Sequence, residues 1–281
     1  MELSNQTLQG LCDVIRRLCG LVLGPHKAYL IRHRLAPLVQ SEGLTSFEQL
    51  LERLHGRSAG RLHDAIVEAI TTKETSFFRD RAFFDALQTT VLPECMRTLR
   101  RFPGQRHRIR IWSAGCATGQ EAVSVAILIR ELYGADGQDA AFAVLGTDLS
   151  ALALSRAQEG RYSAADVKRG LSEDRLARHF RRCGSDWVVV EPLRRLLSFR
   201  RFDLLQPPTA LGAFDVILCR NVLIYFDEPT RQRLCASLCD LLQAGGWLAL
   251  GSAESLSGVH RRVETVRVGR VQLYRRNQPG G

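Results

Sequence analysis

No apolar run in the 281 residues approaches the ~18–20 that a membrane-crossing helix needs, so direct membrane insertion is not expected. Met1 to Gly10 is polar and lacks the apolar centre of a secretory signal, which points to a cytoplasmic protein. With only 9 prolines and 23 glycines, a collagen-like or largely disordered chain is excluded. The eight cysteines (Cys12, Cys19, Cys95, Cys116, Cys183, Cys219, Cys235 and Cys239) form no CxxC pair. That removes the support for a zinc ribbon or a thioredoxin-like motif. No metal is expected, and reduced packing thiols are the simpler reading. Lysine is nearly absent, with Lys27, Lys73 and Lys168 set against 36 arginines. The net charge of +10 draws acidic partners without choosing among nucleic acid, acidic membrane and acidic protein. The phosphate-cradling patterns GxGxxG and GKS/GKT are both missing.

What is present divides by periodicity. Leu8, Leu11, Cys12, Ile15, Leu18 and Cys19 recur at helical spacing, and Gly24-Pro25 breaks the pattern. Tyr29, Leu30, Leu35 and Leu38 begin a second helix, with Pro37 as a kink or stop. Thr45–Leu54 and Arg61–Ile70 make two more, so the first 75 residues form a helical domain. A long amphipathic helix over Arg81–Arg101 should kink at Pro93 and end at Phe102-Pro103-Gly104. Beyond it, strand and helix alternate in the manner of an α/β sheet. The expected strands are Arg108–Ser113, Ala141–Thr147, Leu197–Arg201, Phe214–Cys219, Gly246–Gly251 and a last one, Val266–Tyr274. The expected helices are Gln120–Tyr133, Ala151–Glu159 and Glu228–Leu242. Residues 161–196 interrupt the alternation. There a helix at Ser172–Phe180 precedes Cys183-Gly-Ser-Asp186 and Trp187-Val-Val-Val190, which suggests a small inserted hairpin.

Four segments carry candidate chemistry. In Ile109-Arg-Ile-Trp-Ser-Ala-Gly-Cys-Ala-Thr-Gly-Gln-Glu121, a strand runs through a small-residue loop into a helix. Ligands of open α/β sheets bind at such strand ends, and Ala114 and Gly115 would let a backbone approach one closely. The phosphate fingerprint being absent, an adenosyl ligand fits better than a dinucleotide. Glu121 is either an acceptor for a ligand ammonium or a first-turn acid favoured by the helix dipole. Asp148 closes Leu145-Gly-Thr-Asp148, either as a ribose-binding carboxylate or as a helix cap. Arg220-Asn221 follows the strand Phe214–Cys219, and Tyr225 stands four residues further on, facing either the site or the core. Ahead of the sheet lies Thr71-Thr-Lys-Glu-Thr-Ser-Phe-Phe-Arg-Asp80, where Phe77 and Phe78 can anchor while Thr75 and Arg79 face a ligand. Arginine can grip a carboxylate with two parallel bonds.

Taken in order, T-T-K-E-T-S-F-F-R, W-S-A-G-C-A-T-G-Q-E, G-T-D-L-S and C-R-N-V-L-I-Y-F-D resemble the CheR family of S-adenosylmethionine-dependent protein-glutamate methyltransferases. Gly251-Ser-Ala-Glu-Ser255 matches a fifth, weaker family motif. The resemblance spans nearly the whole chain. It implies a Rossmann-like methyltransferase sheet over 76–281, a small β insert near 161–196 and a receptor-recognition domain over 1–75. It also implies cofactor contacts from Lys73, Thr75, Arg79, Ala114, Gly115, Glu121, Asp148, Asp203, Leu204, Arg220 and Asn221. Asp203-Leu204 would lie near the adenine, while Arg79 and Tyr225 would serve the methyl transfer. Several positions depart from the pattern: Lys73 and Asp203 stand where the family usually has asparagine, and Ala122-Val123-Ser124 replaces a Pro-Tyr-Ser after the glutamate. An aspartate accepts from the adenine amino group but cannot donate.

The partner so implied is the cytoplasmic helical domain of a chemoreceptor. Peptide-binding members use the insert to hold a receptor's C-terminal peptide. The turn Cys183-Gly-Ser-Asp186 looks shorter than theirs, so no pentapeptide tether is expected. Two rivals remain at this stage, a nucleic-acid methyltransferase permitted by the charge and a cofactor-binding adaptor without turnover.

Overall fold

The computed structural model describes residues 2–24, 27–56, 59–101, 108–135, 138–256 and 262–278. Pro25 and the expected stop Phe102-Pro103-Gly104 lie outside these residues. The chain forms two compact units, Met1–Thr72 together with Tyr225–Thr230, and Lys73–Ile224 together with Arg231–Gly281.

The first unit is helical: α1 (Asn5–Cys19), α2 (Ala28–Ser41), α3 (Phe47–Leu54) and α4 (Gly60–Ile70). Ser4 and Ser46 cap α1 and α3, their side chains accepting from Thr7 N and Gln49 N, and Gly20 ends α1 at φ 70°. The apolar stripes read from the sequence are the buried faces: Leu11 and Ile15 of α1, Ile31 and Leu35 of α2, Phe47 and Leu50 of α3, Ile66 and Ile70 of α4. Pro37 does not stop α2, which runs on to Ser41. Pro37 and His33 are both exposed, so water can take the carbonyl that the proline leaves unpaired. Residues Tyr225–Thr230 join this unit. Val22 N donates to Tyr225 O at 3.1 Å, and Arg16 pairs with Asp227 at 2.5 Å.

The second unit opens with α5 (Arg81–Ala86), a π-helical turn at Leu87–Val91 and α6 (Leu92–Arg101). The expected kink at Pro93 is thus a wide turn placed just before it, where the backbone ladder that Pro93 cannot complete is opened. There follow β1 (Ile109–Ala114), α7 (Gln120–Tyr133), β2 (Phe142–Asp148) and α8 (Ala151–Glu159). The insert contains β3 (Arg161–Tyr162), α9 (Ala164–Lys168), α10 (Glu173–His179), β4 (Phe180–Cys183), β5 (Asp186–Val189) and α11 (Glu191–Arg194). The chain ends with β6 (Leu197–Arg201), β7 (Phe214–Cys219), α12 (Glu228–Asp240), β8 (Leu242–Leu250), β9 (Val263–Val268) and β10 (Val271–Arg276).

Seven strands form one sheet in the order β6-β2-β1-β7-β8-β10-β9. From β6 through β8 every neighbour is parallel, while β10 is antiparallel to both β8 and β9. The single strand expected at Val266–Tyr274 is therefore a hairpin, because Gly269, at φ 60°, reverses the chain. The inserted hairpin β4–β5 gains β3 as a third strand, in the order β3-β5-β4. In the main sheet the order reverses at β1, with β2 on one side and β7 on the other. The crevice beyond the carboxyl ends of β1 and β7 is where an open α/β sheet holds its ligand. Helix α7 is buried along almost its whole length, which makes it a rigid floor for the loop that precedes it.

Candidate functional site

The loop after β1 is fixed by its neighbours. Trp112 Nε1 donates to Thr147 Oγ1 at 2.9 Å in the core, locking β1 to β2. Thr147 O then accepts from both Gly115 N, at 2.8 Å, and Cys116 N, at 2.9 Å. Gly119 N closes the turn onto Cys116 O at 3.0 Å, and Tyr162 of the insert donates its hydroxyl to Thr118 O at 3.0 Å. Gly115 takes φ +74°, and a Cβ there would lie 2.6 Å from Val222. The glycine is thus demanded by the neighbouring strand's loop as well as by its own conformation.

Asp148, at the end of β2, uses both carboxylate oxygens. Oδ2 accepts from Ala117 N and Oδ1 from Ser150 N, each at 2.9 Å. Helix α8 takes Ser150 as its cap, with Ser150 Oγ accepting from Ala153 N. Burial raises the Asp148 carboxyl above the ordinary aspartate range, while these amides and the charge of Lys73 act in the opposite direction. Lys73 is thereby placed electrostatically with Asp148. A carboxylate has about four acceptor directions, so acceptor capacity is left beyond the Ala117, Ser150 and Leu149 amides.

On the β7 side Arg220 is buried, its side chain 3% exposed. Its Nη1 donates to Glu121 Oε2 at 3.0 Å, and its Nη2 to Arg79 O at 3.1 Å and Asp80 Oδ2 at 3.3 Å. The guanidinium lies 4.0 Å over the Phe83 ring, and Nε has no hydrogen-bond partner. Glu121 Oε1 also accepts from Ser113 Oγ at 2.7 Å. Arg220, Glu121 and the Arg79 backbone therefore form one network, in which the Arg220 Nη atoms bond protein groups. The Arg79 side chain is exposed and donates through Nη1 to Glu74 O at 3.3 Å, leaving other donors of its fork toward solvent.

The segment before α5 is pinned to the same scaffold. Phe78 N donates to the buried Ser124 Oγ of α7 at 3.0 Å. Phe77 packs edge-on against Tyr162, with centroids 4.9 Å apart, and Arg175 of the insert covers the Phe78 ring at 4.0 Å. Asp203 turns inward locally, its Oδ1 accepting from Leu205 N at 2.9 Å. Leu204 lines a small void with Trp112, Phe202 and Cys219. Thr75 is half-buried, and neither it nor Asp203 joins the Arg220 network.

Among the described residues four non-glycine residues have positive φ: Phe78 at 48°, Asp80 at 68°, Ala117 at 50° and Asn221 at 59°. All four stand in the loops just described. Side chains there cost about 1–3 kcal/mol each, and such strain gathers where a site is held in a set shape. Sequence reasoning missed Asp80 and Ser113 as partners of the network, and it assigned no role to Glu254. The only signal for Glu254 was its place in the motif of residues 251–255.

A seven-stranded, mostly parallel sheet with a glycine loop after β1 and an acid ending β2 is the framework of a nucleoside-binding α/β protein. Residues 73–271 match the family model described as CheR methyltransferase, SAM binding domain, and residues 6–71 match CheR methyltransferase, all-alpha domain. The chain belongs to the CheR methyltransferase family, and its cofactor is S-adenosylmethionine. It is 36% identical to chemotaxis protein methyltransferase Cher2 of Pseudomonas putida, over 98% of this chain and 99% of that one. It is also 36% identical to chemotaxis protein methyltransferase 1 of Pseudomonas aeruginosa, with the same coverage. The corresponding protein of Vibrio cholerae is 35% identical over 98% of each chain.

The residues present suit that cofactor. Asp148 keeps acceptor capacity for a ribose diol, Arg79 offers an exposed guanidinium for a carboxylate, and the loop after β1 is a backbone cradle. Among the described residues no helix is long and apolar enough to cross a membrane, and no cluster of three or more His, Cys, Asp or Glu could hold a metal.

Proposed function

We propose that the protein transfers a methyl group to glutamate side chains of a chemoreceptor's cytoplasmic helical domain, giving methyl esters. The arrangement of Asp148, the β1 loop and the Arg220–Glu121 network supports this reading, together with relatives named as chemotaxis protein methyltransferases. When bound, S-adenosylmethionine supplies a methyl group activated on a sulfonium. Asp148 accepts from the ribose hydroxyls, and the Arg79 fork holds the carboxylate end. Glu121 faces the ammonium while keeping its bonds to Ser113 and Arg220. Asp203, Leu204 and Asn221 complete the cofactor contacts, with Lys73 and Thr75 at the other edge.

The acceptor needs no general base. A glutamate side chain, with a reference pKa of about 4.3, is already ionised at neutral pH. The chain's task is alignment at about 3–3.5 Å and exclusion of water from the carboxylate. Tyr225 is proposed to orient the acceptor. The insert, closed by the short Gly184-Ser185 turn, is proposed to act without a receptor C-terminal peptide.

Titration calorimetry with S-adenosylhomocysteine tests the cofactor part: wild type binds and Asp148→Ala does not. Transfer of labelled methyl groups to a recombinant chemoreceptor cytoplasmic fragment tests the reaction. Tyr225→Phe should bind the product normally and turn over at least about tenfold more slowly. Binding without transfer to any receptor fragment would leave a cofactor-binding adaptor instead.

A further inference from the structure

The carboxylate of Glu254 lies in none of the contacts discussed so far, yet it organises the exit of β7. Its Oε2 accepts from Asn221 N at 2.8 Å and from Gly251 N at 2.6 Å, and its Oε1 accepts from Ile224 N at 3.2 Å. Its own N–H closes a turn onto Gly251 O at 2.9 Å. Three backbone amides from two adjacent strand exits thus converge on one side chain, each through a charge-assisted bond. The fit is tight. A Cβ on Gly251 would stand 2.6 Å from Glu254 Oε2 and 2.9 Å from Asn221 N. Asn221 is held at φ 59°, in the left-handed region that asparagine enters more readily than most side chains. Ile224, the third donor, is exposed and immediately precedes Tyr225 in sequence.

We propose that Glu254 is a positioning residue for methyl transfer, acting by fixing the Asn221–Ile224 turn that leads into Tyr225. This rests on the function proposed above. Glu254 bonds backbone amides only. Through Asn221, a proposed cofactor contact, its loss should weaken cofactor binding somewhat, and through Ile224 and the adjoining Tyr225 it should lower turnover further. Loosening a turn beside the reacting groups by about 1 Å lowers rates by about 100-fold. Glutamine keeps one acceptor and can still serve Asn221 N and Gly251 N while giving up Ile224 N. Alanine gives up all three.

The experiment compares wild type, Glu254→Gln and Glu254→Ala in three measurements. These are transfer to the receptor fragment, S-adenosylhomocysteine binding, and hydrogen exchange at the amides of Asn221, Ile224 and Gly251. In wild type the three amides should be protected, including that of the surface residue Ile224. Turnover should fall by about 10-fold in Glu254→Gln and about 100-fold in Glu254→Ala, with product affinity falling at least about tenfold less than turnover does in Glu254→Ala. In Glu254→Ala the three amides should lose protection, whereas Arg110 N, bonded to Asp215 Oδ2 at 2.9 Å, keeps it.

Free-peptide exchange rates at these amides in wild type would overturn the proposal without any variant having to fold. Unchanged turnover in a folded variant would overturn it too, as would a loss that merely tracks lost product binding. A wild type that transfers no methyl group to any receptor fragment overturns the proposed function and this role together. A wild type that does so while Glu254→Ala matches it overturns only the role of Glu254.

Discussion

Replacing Arg220 by methionine should unfold the sheet unit more readily than any single surface change. The guanidinium is 3% exposed and lies 3.0 Å from a Glu121 side chain that is itself 15% exposed. Removing one partner of a buried pair costs roughly 3–5 kcal/mol, because the other charge is left uncompensated. Methionine keeps the apolar contact over Phe83, so the loss reports mainly on charge and hydrogen bonding. Asp80 is more exposed, and its share is below about 1 kcal/mol. Glu121→Gln retains the Ser113 contact, and we expect a loss of about 1–3 kcal/mol. The double variant should lose less than the two singles together, by about 1.5–3 kcal/mol, since neither charge is then stranded.

Urea unfolding followed by tryptophan fluorescence suits this cycle. All three tryptophans, Trp112, Trp187 and Trp247, lie in the sheet unit, so the signal is blind to the N-terminal helices. Additivity within about 0.5 kcal/mol would refute the coupling. So would a loss below about 1 kcal/mol for Arg220→Met.

Two further outcomes follow from groups away from this network. Burial tends to raise the Glu131 carboxyl, but the His179 ring, 3.6 Å away, and the Arg175 guanidinium, which donates through two nitrogens at 2.9 Å, outweigh it and bring it to about 2. A carboxylate lowered in this way adds stability that is complete above about pH 4.5 and lost as pH falls toward 2. We expect on the order of 2–3 kcal/mol to disappear across that window, and Glu131→Gln to flatten this part of a stability-against-pH profile. Gly170 sits at φ +102° with a virtual Cβ 1.8 Å from Phe77 O, whereas Gly43, at φ +67°, has open space around it. By thermal unfolding Gly170→Ala should cost more than about 3 kcal/mol and Gly43→Ala only about 1; equal shifts would show that Gly170 is not pressed against that backbone.

Helices α1, α3, α4, α7 and α8 could be read from apolar spacing, and the parallel strands from branched residues between small-residue loops. Those signals are local. The irregular pieces had other causes. The turn at Leu87–Val91 answers a proline further along, and β3 is two residues long, formed only because β5 lies beside it. At the site, Asp148 and Glu121 stood out as acids at strand and helix ends. Asp80 and Glu254 did not, because each works through partners 140 and 33 residues away, distances that no periodicity reports. Arg220 could be found by position but not by role: only folding shows that its Nη atoms bond Glu121, Asp80 and the Arg79 carbonyl.

The membership of Tyr225–Thr230 in the helical unit bears on how such a protein can be recombined. A cut at Thr72 would look like a clean module boundary, yet it would strip the 225–230 segment of Arg16 and the Val22 amide. A chimera that takes its helices from a relative must therefore bring that relative's 225–230 segment with them. The helical unit is thus exchanged as two separate stretches of chain, not as one continuous module.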